Sequence, residues 1–228
     1  MSLRELRSDM HSQPRHPPCV PATHEYCCLE IAMSFPRLTA LALAASLLST
    51  AALADTVAEQ DQQRDVNQQA RIEQGLKSGE LSTKEAGQLE RDEQHVDRME
   101  AHDLRNGSIS PGKQARLNAA ENKTSTAIYA DKHNATMGNP NSASSERMQA
   151  DVQRNVNQQQ RIANGMQSGA LTNKEAGSLE RGQAHVDRRE ANAAADGHVG
   201  AFEQRRIQSS ENYQSKRIYN KKHNGVTK

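Results

Sequence analysis

Ser78-Gly-Glu-Leu-Ser-Thr-Lys-Glu-Ala-Gly-Gln-Leu-Glu-Arg91 returns ninety residues later as Ser168-Gly-Ala-Leu-Thr-Asn-Lys-Glu-Ala-Gly-Ser-Leu-Glu-Arg181. Both stretches read as a helix stop followed by a helix start. The glycine tolerates the positive φ that ends one helix. Ser82 and Thr172 are then N-caps, with Glu85 and Glu175 three residues on to complete a capping box. The chain is therefore helical on both sides of a tight break, twice.

The repetition extends outward from these stretches. Aligned at an offset of ninety, residues 61–134 and 151–224 pair without a gap, and 37 of the 74 positions are identical. Such a match marks a duplicated unit. Each copy reads as three helices, divided by Gly79 and Gly169 and then by Asn106-Gly107 and Asp196-Gly197. Pro111 suits the first turn of a third helix in copy one. Lys132-His133-Asn134 and Lys222-His223-Asn224 place cations at the negative end of that helix, with Asn able to cap it. The expected fold is all-α: two tandem three-helix modules, 61–134 and 151–224, joined by a flexible polar linker over 135–150 that lets them move relative to each other.

Upstream the chain changes character. Its three cysteines (Cys19, Cys27, Cys28) all lie before residue 55. Met33 to Arg37 forms a short basic start, Leu38 to Leu48 an apolar run, and Ala52-Leu53-Ala54 a small-x-small cleavage motif. Together they spell a secretory signal peptide over 33–54. Residues 1–32 then read as an upstream extension from a misplaced start, and the mature chain is expected in the periplasm or outside the cell, with no membrane attachment after cleavage. Beyond Ala54 there is no Cys or Trp, which closes disulfide, zinc-thiolate and cysteine-nucleophile chemistry.

Formal charge is +1, from 29 Lys and Arg against 28 Asp and Glu, so no overall field favours nucleic acid. The segment after Ala54 holds 29 large apolar residues and 21 alanines, too few for a thick hydrophobic core. The run from Leu89 to Glu100, matched by Leu179 to Glu190, alternates acids and bases and reads as a solvated, self-paired helix face beside a narrow stripe of Ala86, Leu89 and Val96. No nucleophile motif, His-Glu-x-x-His or phosphate-cradling glycine loop is present, so no enzyme activity and no cofactor are expected. An EF-hand register over Gly79 puts Glu85 at the last ligand position, but Gln74, Leu76 and Ser78 fall where calcium needs oxygen donors.

Two functional expectations remain. A non-enzymatic envelope protein would pair helix faces with a protein partner or with itself, using Tyr129, Tyr219, Asn122 and Asn212. Alternatively, the histidines shared by the copies, His95, His133, His185 and His223, would make it a periplasmic metal-binding or metal-responsive protein. The pattern Ser-Gly-x-Leu-[Ser/Thr]-x-Lys-Glu-Ala-Gly-x-Leu-Glu-Arg, then His-Val-Asp-Arg-x-Glu-Ala, then Ile-Tyr-x-x-Lys-His-Asn, resembles a group of small exported proteobacterial helical-repeat proteins of unknown function. That resemblance implies export and helicity and carries no activity to particular residues.

Overall fold

A computed structural model describes residues 46–227, with side chains from residue 57 onward. The upstream stretch 1–32 and the first part of the expected signal lie outside the described residues. Six helices follow in order: α1 (Ser46–Ser78), α2 (Thr83–Asp103), α3 (Pro111–Lys132), α4 (Ala143–Gln167), α5 (Asn173–Ala193) and α6 (Ala201–Lys222), with a 3₁₀ turn over Leu104–Asn106. Among the described residues there is no strand, and no helix is long and apolar enough to cross a membrane.

The local signals act as their chemistry requires. The Glu85 amide donates to Ser82 Oγ at 3.2 Å and the Ser82 amide to Glu85 Oε2 at 2.9 Å, satisfying two amides that the first turn of α2 would leave open. Thr172 and Glu175 repeat the box at α5. Gly79, Gly107, Gly169 and Gly197 take positive φ at the four breaks. The shared Asn acts through its side chain: Asn134 donates to Glu85 Oε1 at 2.9 Å and Asn224 to Glu175 Oε1 at 2.6 Å. Each third helix is thereby tied by its end to the capping box of its own copy.

The copies are not independent modules. The most extensive helix pairings are α2 on α5 and α1 on α4, both between copies, and all six helices belong to one unit. α2 and α5 run antiparallel, with Gly87 against Ala194 at one end and Gly177 against Leu104 at the other. A Cβ on Gly87 would stand 2.5 Å from that of Ala194, and one on Gly177 2.8 Å from that of Leu104, so both glycines are needed for this closeness. The segment expected to be a flexible linker is shorter and anchored. Its Gly138 amide donates to Gly79 O at 2.9 Å, and α4 starts at Ala143. Two complementary half-cores pair because neither has enough apolar surface to close on itself.

Apolar side chains gather in two places. One cluster combines Ile72, Leu76, Leu89 and Ile128 of copy one with Met148 near the start of α4 and with Val152, Val199 and Ile207 of copy two. The other combines Ala58 and Leu104 with Ile162, Met166, Leu171, Leu179 and Ile218. α1 and α4 also run antiparallel, since Leu76 shares a cluster with Met148 and Ala58 with Met166. The long middle of the four central helices lies between these clusters and is filled differently.

Candidate functional site: a carboxylate array between the helices

Helix α2 presents Glu90, Glu93, Asp97 and Glu100 at spacings of three and four, which place them on one face. All four are buried at 0–1% exposure, while Arg91, His95 and Arg98 point to solvent. The expected solvated, self-paired face is therefore corrected: its acids go inward and its bases outward, because Leu89 and Val96 share the acids' side of the helix and must be buried. α5 repeats the arrangement with Glu180, Asp187 and Glu190, and α1 adds Asp61 and Asp65, α4 Asp151, α3 Glu121 and α6 Glu211. Among the described residues no Lys, Arg or His is buried.

These acids converge in groups. One carboxylate oxygen each from Asp61, Glu100 and Glu121 lie within 4.8 Å of one another, as do those of Asp65, Asp97 and Glu180 and those of Glu90, Asp187 and Glu190. The second and third groups are related by the duplication: Asp97 corresponds to Asp187, Glu180 to Glu90, and Asp65 to Asn155. Both therefore draw side chains from both copies. The counterpart of the first group is Asp151, Glu190 and Glu211, which are close enough that Asp151 and Glu211 each raise the pKa of Glu190.

Amides line the array and donate into it. Gln62 Nε2 reaches Glu100 Oε2 at 2.6 Å, Gln69 Nε2 reaches Glu90 Oε2 at 3.0 Å, and Gln159 Nε2 reaches Glu180 Oε2 at 3.1 Å. Asn155 Nδ2 donates to Glu190 Oε2 at 2.7 Å. Cations touch only the outer groups: Arg64 Nη1 lies 2.5 Å from Glu121 Oε2, and Arg154 Nη1 3.1 Å from Glu211 Oε2, both arginines being partly exposed. Arg64 also donates to Asn122, and Arg154 to Asn212. Many oxygens are left over. Both of Glu93, one each of Glu90, Asp97, Glu180 and Asp187, and the amide oxygens of Gln69 and Gln159 have no hydrogen-bond partner.

Electrostatics follow from burial. Removal from water is the largest cause that raises Glu90 and Glu180 to about 7. The same cause, with Asp151 adding repulsion, raises Glu211 to about 8. Glu93, Asp97, Glu100, Asp187 and Glu190 are pushed well above the usual carboxylate range, first by burial and then by neighbouring carboxylates of the array. Asp97 and Asp187 stand close enough for each to act on the other's pKa.

The residues singled out from sequence lie elsewhere. His133 and His223 are stacked on Tyr129 and Tyr219 and bond their carbonyls at 2.7 Å. His185 sits between Arg188 and Arg189, which lower its pKa after desolvation does, and His95 is exposed on α2. Among the described residues no group of three metal-competent side chains includes a histidine. Tyr129 and Tyr219 are 60% and 57% exposed on the outer helices, with Phe202 and Tyr213 also exposed.

The arrangement offers oxygen donors only, in negatively charged groups away from water, which is the chemistry of hard cations and of protons. Comparison with protein-family models, with curated proteins and with solved structures gave no match.

Proposed function

We propose that this is a non-enzymatic protein that binds hard, multiply charged cations in the carboxylate array between its helices, and that its signal-like segment directs it to the periplasm or beyond. One observation carries the reading: among the described residues thirteen acids are buried and no basic side chain is buried with them. Each ionised carboxylate taken from water costs several kcal/mol, and a domain's whole stability is about 5–15 kcal/mol. The array must therefore be discharged, either by protons or by bound cations. Asp103 is set apart from it: it joins none of the converging groups, and against burial its bonds to His102 and Lys113 lower its pKa, whereas Glu121 and Glu211 stay raised beside their arginines, which leaves twelve acids.

Thermal unfolding of the full chain at neutral pH, in chelator and then with Ca²⁺, Mn²⁺ or La³⁺, tests this. A ligand bound only by the folded state adds about 2.7 kcal/mol per site at a hundred times its Kd. At about 2–4 °C per kcal/mol, several sites give a rise above about 10 °C. An unchanged melting temperature with all three ions overturns the reading. A rise confined to Zn²⁺ or Cu²⁺ would favour His95, His133, His185 and His223 instead. Exposed Phe202, Tyr213 and Tyr219 along α6 support a second reading, a protein-docking or self-association face, which predicts a concentration-dependent mass in light scattering.

A further inference from the structure

We infer that the array is built for four trivalent, oxygen-seeking metal ions and takes them in preference to divalent ones, an inference that rests on the cation-binding reading above. The count comes from the duplication. One outer position is the converging group Asp61, Glu100 and Glu121; the duplication supplies its counterpart, Asp151, Glu190 and Glu211, whose Glu190 also converges with Glu90 and Asp187. Two inner positions are centred on Asp97 with Glu180 and on Asp187 with Glu90. Twelve acids over four positions give three negative charges for each ion. Four divalent ions would leave four carboxylates uncompensated in a medium that penalises every unpaired charge. Four trivalent ions leave none.

The ligand supply agrees with the charge. Glu93, 1% exposed, has no hydrogen-bond partner on either oxygen and stands within electrostatic reach of Asp65, Glu90 and Asp187. The carbonyl oxygens of Gln69 and Gln159 are unpartnered although their amide nitrogens already rest on Glu90 and Glu180. Rotation of these amides would present neutral oxygens to an ion, bringing each inner position toward the high coordination numbers that large hard cations adopt. Arg64 and Arg154, both partly exposed, hold Glu121 and Glu211 and would be displaced on loading.

Isothermal titration of the full chain near pH 7, with La³⁺ and separately with Ca²⁺, reads stoichiometry and preference together. The expected result is four La³⁺ per chain, bound about 100-fold or more tightly than Ca²⁺, equivalent to about 2.8 kcal/mol. Ca²⁺ binding with equal affinity overturns the trivalent preference while leaving the cation-binding reading intact. One La³⁺ per chain overturns the four-position count. Binding of neither ion removes both readings. Asp97→Asn separates ligation from structure: it should weaken La³⁺ binding at least about 10-fold while raising the melting temperature of the metal-free protein. A metal-free protein destabilised by Asp97→Asn with unchanged La³⁺ affinity would show the carboxylate to be structural and overturn the inference.

Discussion

The ends of the helical bundle and its middle solve the problem of burial in opposite ways. At the ends, Leu89, Ile128 and Met148 on one side and Leu179, Ile218 and Met166 on the other pack as ordinary hydrocarbon. In the middle, Glu93, Asp97, Asp187 and their neighbours are as deeply buried as those leucines, yet among the described residues no basic side chain is buried with them. The contrast shows how a chain poor in large apolar residues can still be compact. Hydrophobic contact closes both ends, and the space between is given to groups whose stability depends on what they bind.

The largest test of that contrast is pH. Buried carboxyls whose folded pKa lies above the unfolded value stabilise the fold below the unfolded value, near 4, and lose that contribution as pH rises through the folded value. For Glu90 and Glu180 the loss is complete by about pH 7, and for Glu211 by about 8. Metal-free protein should therefore melt more than about 10 °C lower at pH 8 than at pH 5, with the midpoint followed by circular dichroism. A flat or rising profile would mean that the middle is already neutralised by something else.

Leu89→Ala, in an apolar end, should cost about 2–5 kcal/mol in denaturant unfolding at every pH, because a cavity does not titrate. Gly87→Ala should cost about 1–3 kcal/mol by forcing α2 from α5, and Ala194→Gly should recover part of the loss. Glu93→Gln should do the reverse in the middle. It should stabilise metal-free protein at pH 8 by about 1 kcal/mol, since copy two already holds Gln183 at the equivalent place. If Glu93→Gln destabilised the protein as Leu89→Ala does, the distinction between ends and middle would fall.

Both capping boxes and the four glycine breaks were legible in the residues, because they depend on contacts within a few positions; the starts of α1 and α4 were not, and α4 begins at Ala143 inside the stretch read as linker. The array was half legible. Glu90, Asp97 and Glu100 recur as Glu180, Asp187 and Glu190, on the same helix side as Leu89 and Val96, while Arg91 and Arg98 fall outside it. That shared side was the available signal. It was outweighed by acid and base spacings of three and four, which read equally well as solvated pairs. The histidines drew notice because they recur, but His133 and His223 spend that recurrence on stacking and capping at helix ends.

The sequence by itself determined six helices, the breaks within each copy and the duplication, since backbone caps and glycine turns are settled by neighbours along the chain. Only the tertiary structure decided that the copies interlock rather than move apart, and that the acids of α1, α2, α4 and α5 face one another. Those outcomes depend on the close approach of Gly87 to Ala194 and Gly177 to Leu104 across roughly a hundred residues and seventy residues of chain, a contact that no local propensity encodes.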